Sequence, residues 1–175
     1  ELCNDKVKLR KYKIEDVPLL HKELGCNPAM VKYTGWNPYS TIESTKDFIS
    51  EIIDDYGKDC NNYGWIIEAE GKAVGIIGAY DYIAEDDSIE IGYSIFEEYW
   101  GKGYVSSAVA LVCEHLLNTE QIGSIRAWSA AENTASKGAL EKAGFIQTEI
   151  KELFNKIIRM KKENLIIKLK KYKII

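Results

Sequence analysis

The chain has 175 residues, enough for one domain, 1–175, with a substantial core. Its 46% hydrophobic and 29% charged residues are those of a globular protein, and no apolar run approaches the roughly 18 residues of a membrane span. A net charge of −4 argues against a dedicated nucleic-acid binder.

The chain opens with "ELCNDKVKLRKYK", which lacks the apolar stretch of a signal peptide; without an initial Met, further residues are expected ahead of Glu1. "VKLRKY" (Val7–Tyr12) reads as a first strand. "IEDVPLLHKEL" (Ile14–Leu24) reads as a helix, with Val17, Leu20 and Leu24 at helical spacing and Pro18 early enough to be tolerated. After the aromatic loop "YTGWNPYS", Ser40 or Thr41 can cap a second helix whose stripe is Ile42, Phe48, Ile49, Ile52, Ile53 and Tyr56. The period then changes. Tyr63–Ala69 and Ala73–Ile83 read as an antiparallel hairpin, and Asp87–Phe96 as a third strand. A helix follows from Tyr104 to Leu117, then a short strand, Ser124–Ser129. "NTASKGALEKAGF" reads as a helix stopped by Gly144, and "FIQTEIKELF" and "NLIIKLKKYKI" as last strands. The order predicts an α/β (α+β) fold: a mixed, mostly antiparallel sheet flanked by helices, with one βαβ crossover.

Cys3, Cys26, Cys60 and Cys113 form no CxxC pair, and only His21 and His115 accompany them. Neither a zinc site nor a disulfide framework is expected; reduced thiols point to a cytoplasmic setting. Cys113 and His115 do not make a nucleophile–base pair, because residues two apart on a helix do not face each other.

Chemistry concentrates in "EEYWGKGYVSSAV", where two glycines open a helix. Free amides at a helix start, with the helix dipole, form an anion site, and glycines let a phosphate approach without meeting a Cβ. A tight turn with no ligand explains the same residues equally well. The nucleotide loop GxxxxGK[ST] is absent, since Gly103 follows Gly101–Lys102, and a GxGxxG reading fails at Ser106.

The block "IEIGYSIFEEYWGKGYVSSAV" followed by "NTASKGALEKAGF" resembles the GNAT family of acyl-CoA-dependent N-acetyltransferases, and more narrowly its RimJ/RimL-like branch. The resemblance spans Ile89 to Phe145. It implies acetyl-CoA as cosubstrate, with its pyrophosphate on the backbone amides of Gly101, Lys102, Gly103, Tyr104, Val105 and Ser106. It places the pantetheine arm against backbone groups of Ile95 and Phe96, where the strand splays from its neighbour and an amide near Ile95 faces the oxyanion. Trp100 stands where the wider family has Gln or Arg, and Val105 where it has Gly or Ala, so the valine is expected to crowd the phosphate. Leu140 stands at the position of the tyrosine acid of many relatives; in this branch Ser136 takes over at the leaving thiolate, with Asn133 beside it in the cofactor site.

Alternation of "IEIGYSIF" puts Glu90, Gly92, Ser94 and Phe96 on one face. A Glu within a central strand faces water or a cleft. Glu90 is the candidate general base, with Gly92 leaving room for a ligand; a salt-bridged surface carboxylate is the plain alternative. Asn133 also suits a helix cap, with Ser136 merely in its first turn. By the resemblance Tyr33 and Trp36 border the acceptor pocket; packing within a small aromatic cluster is the alternative. The lysine-rich carboxyl end reads as an edge strand guarded by charge.

These features imply acetyl transfer to a primary amine, most directly a protein or peptide N-terminal α-amine, by direct attack in a ternary complex. The acidic stretches "AEDDSIE" and "EIIDDY" keep a small cationic amine, polyamine or aminoglycoside, in view. A non-catalytic coenzyme A-binding module is the rival from another class, and a nucleotide-binding regulatory domain a distant third. No metal, nucleic acid or membrane partner is implied, and a homodimer stays open.

Overall fold

The computed structural model describes residues 1–33, 41–58, 61–155 and 160–169. A short arm comes first, β1 (Leu2–Cys3) and β2 (Lys8–Arg10). Asn4 closes the turn between them: its Oδ1 accepts the amides of Lys6 and Val7, each at 3.0 Å. The helix expected over Ile14–Leu24 is instead three hydrogen-bonding registers in series, a 3₁₀ turn (Ile14–Asp16), α1 (Val17–Leu20) and a π turn (His21–Gly25), before α2 (Pro28–Val31). Both Pro18 and Pro28 lie in first turns, where a missing N–H costs nothing. Thr41 caps α3 (Ile42–Asp55), its hydroxyl accepting the Ser44 amide at 3.2 Å; Ile49 is fully buried, while Ile42, the first of the expected stripe, is exposed.

β3 (Tyr63–Ala69), β4 (Lys72–Ile83) and β5 (Ser88–Ile95) form an antiparallel meander. Glu70 and Gly71, with φ of +53° and +74°, make the tight β3–β4 turn, a backbone form whose twist matches that of the strands it joins. α4 (Tyr104–Asn118) then crosses over to β6 (Ser124–Ala130), the parallel neighbour of β5. α5 (Thr134–Lys142), β7 (Ile146–Asn155) and β8 (Met160–Leu169) complete a sheet of order β1-β2-β3-β4-β5-β6-β8-β7. The lysine-rich last strand is therefore not an edge: β8 lies between β6 and β7, and β7 takes the edge.

Each face of the sheet carries a core. Ile67, Ile77, Ile89, Ile91 and Ile95 pack with Ala108, Val109, Val112 and Leu116 of α4. Ile66, Ile76 and Phe96 pack on the other face with Leu20, Leu24 and Ile49. Successive residues of β3 and β4 thus bury on opposite sides, which is why these strands read as near-continuous apolar runs. Arg10 ties the second face together. Its two terminal nitrogens each lie 2.8 Å from an Asp16 oxygen, and its Nε lies 2.6 Å from Glu68 Oε1, joining β2, the 3₁₀ turn and β3. Among the described residues no helix is long and apolar enough to cross a membrane.

Candidate active site

The parallel pairing of β5 with β6 is short. It holds Ser88 to Ser124, Ile89 to Ile125 and Glu90 to Arg126, and then ends among the described residues, while β5 runs on to Ile95 and β6 stays paired with β8 on its other side from Ile125 to Ala130. The two strands therefore fork just past Glu90. The Phe96 amide donates to the Val74 carbonyl at 2.9 Å, so by antiparallel alternation the amides of Tyr93 and Ile95 face away from β4, into the fork. This corrects one expectation. The Phe96 amide is already taken up by β4 and its ring is buried at 1% exposure in the second core, so Phe96 shapes the fork from behind; Ile95 presents its backbone to it. The Ile95 carbonyl accepts the Trp100 indole N–H at 2.7 Å, which anchors a ring that is otherwise half exposed.

Glu90 sits at the vertex, opposite Tyr80 on β4 and Arg126 on β6. Burial pushes its carboxyl above the ordinary carboxylate range; Arg126 and the Trp128 indole pull the other way, and the Asp81 carboxylate adds to the rise. Arg126 does not neutralise Glu90 fully, because its Nη2 donates to the Asp81 carbonyl at 2.6 Å and its buried Nε has no partner among the described residues. Gly92 does not leave space for a ligand as expected. The Tyr80 hydroxyl lies where a Gly92 side chain would stand, and burial, with Glu90 and Asp81 nearby, pushes that phenol up to about 12.

Beyond the fork the 3₁₀ turn Glu97–Tyr99 leads into the glycine turn. Gly101 and Gly103 have φ of +76° and +75°, in the left-handed region that favours glycine, and Gly103 is the N-cap of α4. Both glycines are thus dictated by backbone conformation, with clearance as a second benefit. Nothing lies within 4 Å of where a Gly101 Cβ would be; at Gly103 that position is 3.0 Å from the Lys6 Nζ. The amides of Tyr104, Val105 and Ser106 have no helical acceptor to reach back to. Side chains in the turn point elsewhere. The Lys102 Nζ lies 5.0 Å over the Tyr99 ring, Tyr104 is buried with its hydroxyl donating to Glu70 at 3.0 Å, and the Ser106 hydroxyl donates to the Gly103 carbonyl at 3.1 Å. Val105 packs, partly buried, against the core under α4.

On the opposite arm, the Asn133 Oδ1 accepts the Ser136 amide at 3.1 Å and caps α5. The Ser136 hydroxyl lies 2.9 Å from the Tyr93 hydroxyl, so a residue of β5 reaches across to α5. Burial pushes the Tyr93 phenol up to about 12, which keeps it protonated and a hydrogen-bond donor at neutral pH. Leu140 is fully buried. Tyr33 is half-buried with the Lys32 Nζ 4.9 Å over its ring; Trp36 lies outside the described residues. Lys6 and Tyr93 are the site neighbours that sequence reasoning missed. Lys6 is distant along the chain, and strand alternation sends Tyr93 to the apolar face.

Residues 6–146 match the model of the acetyltransferase (GNAT) domain family. An uncharacterized N-acetyltransferase p20 of Bacillus licheniformis is 27% identical over 146 residues, covering 82% of this chain and 81% of that protein. RimL, an alpha-N-protein acetyltransferase solved in complex with coenzyme A, has a similar fold: TM-score 0.85 at 17% identity, over 96% of this chain and 97% of that one. A spermidine N-acetyltransferase chimera from Vibrio cholerae superposes with a TM-score of 0.77 at 17% identity, over 94% of this chain and 95% of that one. With the family model matched along most of its length, the chain belongs to the GNAT family and is an acetyl-CoA-dependent acetyltransferase.

Proposed function

We propose that this chain, as one domain, acetylates the N-terminal α-amine of a peptide or protein, in the manner of the RimJ/RimL-like branch. The observation that supports the transfer chemistry is the fork, where strand pairing stops at Glu90, leaving a raised carboxylate at the vertex and the Ile95 amide along one arm; the peptide acceptor rests on the resemblance and on the likeness in fold to RimL. Glu90 takes the proton from the substrate ammonium, directly or through water. The neutral amine then attacks the thioester carbonyl, and the Ile95 N–H faces the developing oxyanion. Ser136, held by Tyr93, directs its hydroxyl at the departing thiolate. The amides from Gly101 through Ser106 hold the pyrophosphate, with the Lys6 ammonium beside Gly103 as a further positive charge. Asn133 serves by fixing the turn that presents Ser136. Tyr33 and Trp36 are assigned to the acceptor side by the resemblance alone.

A small cationic amine is the second reading. It rests on the Asp81 carboxylate beside Glu90, which makes the vertex negative, and on the likeness in fold to a spermidine N-acetyltransferase. Thiol release from acetyl-CoA across peptides with free N-termini, polyamines and aminoglycosides decides between them. Faster turnover of peptides supports the first reading, and faster turnover of polyamines or aminoglycosides replaces it. Tight acetyl-CoA binding with no release for any amine returns the chain to a binding module.

A further inference from the structure

Cys113, set aside as a nucleophile, is buried, and burial pushes its thiol up to about 12. A different cysteine meets a histidine. The Sγ of Cys26 lies 3.3 Å from Nε2 of His21, and Nδ1 of His21 lies 2.8 Å from the hydroxyl of Thr45 on α3. Thr45 is 1% exposed, whereas Cys26 is exposed. An open sulfur, an imidazole and a buried hydroxyl therefore stand in series. The π turn makes this possible: the Cys26 amide reaches back to the His21 carbonyl at 2.9 Å, and the wide turn brings together side chains five residues apart. A regular α-helix pairs residues three and four apart, so helical spacing does not reveal the contact.

The geometry points to Cys26 as an activated thiol, a covalent modification site for small disulfides. In the reactive tautomer of His21, Nδ1–H donates to the Thr45 hydroxyl and the Nε2 lone pair faces the sulfur. His21 takes the thiol proton, and the Cys26 thiolate attacks one sulfur of a disulfide R–S–S–R. The Cys26–S–S–R bond forms, the R–S–S–R bond breaks, and the departing R–S⁻ takes up the proton from His21. The bonding pair of the broken S–S bond leaves on R–S⁻, so the Cys26 sulfur is oxidised and the departing sulfur reduced by one formal unit each, and the disulfide is the only oxidant. The next residue, Asn27, caps α2 through the Ala29 amide at 3.0 Å and donates to Glu97 at 3.3 Å. An adduct on Cys26 thus stands one residue from the contact between the helical segment and the entry to the glycine turn.

The test exposes the folded full chain at pH 7 to a limiting amount of glutathione disulfide and measures the modified fraction of each cysteine by peptide mass spectrometry. Cys3, also exposed, is the internal control. With the His21 imidazole 3.3 Å from the sulfur as proton acceptor and no such contact at Cys3 among the described residues, the expected advantage of Cys26 over Cys3 is about threefold or more. His21→Gln lowers Cys26 to the Cys3 rate, and Thr45→Val falls between. Equal rates for Cys26 and Cys3 in the parent overturn the proposal, and so does a folded His21→Gln protein that keeps the full advantage. Should His21→Gln not fold, the parent ratio alone decides.

Discussion

At β2, Arg10 lays its fork on Asp16 through two 2.8 Å bonds and gives its Nε to Glu68 at 2.6 Å, whereas at β6 Arg126 gives one nitrogen to the Asp81 carbonyl and leaves its Nε unmatched among the described residues. Their carboxylates move in opposite directions. Burial acts to raise Asp16, but the Arg10 fork and the Lys13 amide outweigh it and hold the carboxyl below its ordinary value. Burial raises Glu90 too, and there Arg126 and Trp128 do not overcome it. One carboxylate–arginine pair closes on itself and joins three elements; the other stays incomplete and leaves a carboxylate that favours holding a proton. Both pairs set a carboxylate beside an arginine; the difference lies in how many donors reach each carboxylate.

The largest effect that sharpens this contrast is on turnover. Glu90→Gln keeps the shape at the vertex and removes the base, so kcat falls by about 10²–10⁴-fold while acetyl-CoA still binds, as steady-state kinetics and calorimetry check. A variant with parental kcat places the base elsewhere.

The next effect is on stability. Asp16→Ala leaves the half-buried Arg10 with Glu68 alone and costs about 1–3 kcal/mol in denaturant unfolding, with kcat per folded molecule unchanged. The pH dependence carries opposite signs at the two carboxylates. The contribution of Asp16 is complete above its unfolded value of 3.8 and is lost as pH falls through its lower folded value. Glu90 binds its proton more tightly in the native state than the unfolded value of 4.5 allows, so its contribution declines as pH rises from there through its folded value. Unfolding curves of Asp16→Ala and Glu90→Gln across acid pH each lose one of these slopes.

A third measurement bears on the incomplete pair. Arg126 pulls the Glu90 carboxyl down, so Arg126→Gln moves the rising limb of the pH–rate profile to higher pH. A limb that stays in place separates the limb from Glu90. The smallest effect compares the arginines as forks. Arg10→Lys gives up bidentate geometry and costs about 1–2 kcal/mol, whereas Arg126→Lys costs under about 1 kcal/mol, because Arg126 grips no carboxylate with two prongs.

Much of the frame is legible in the residues alone. The change of period at Tyr63, the meander to Ile95, the helix from Tyr104 and the Asn133 cap all follow from local rules, and the expected element order recurs in the sheet. The helical segment after β2 is not legible, because apolar spacing is shared by α, 3₁₀ and π registers and does not choose among them. Alternation places Glu90 on its face but says nothing of Arg126, Asp81 or Tyr80, which arrive from two other strands.

Sequence by itself determined what depends on near neighbours: the side-chain period of the strands and of the helices from Ile42 onward, a cap for α3 at Ser40 or Thr41 and for α5 at Asn133, and a glycine turn at Gly101 and Gly103, where φ near +75° excludes most side chains locally. Only the tertiary structure decided the rest. It inserted β8 between β6 and β7, took the Phe96 amide for Val74, set Tyr93 on Ser136 and brought His21 against Cys26 and Thr45. The physical reason is range. Backbone conformation answers to forces within a few residues, while a strand register or a hydrogen bond between distant residues forms only when burial of the whole core has brought them within about 3 Å.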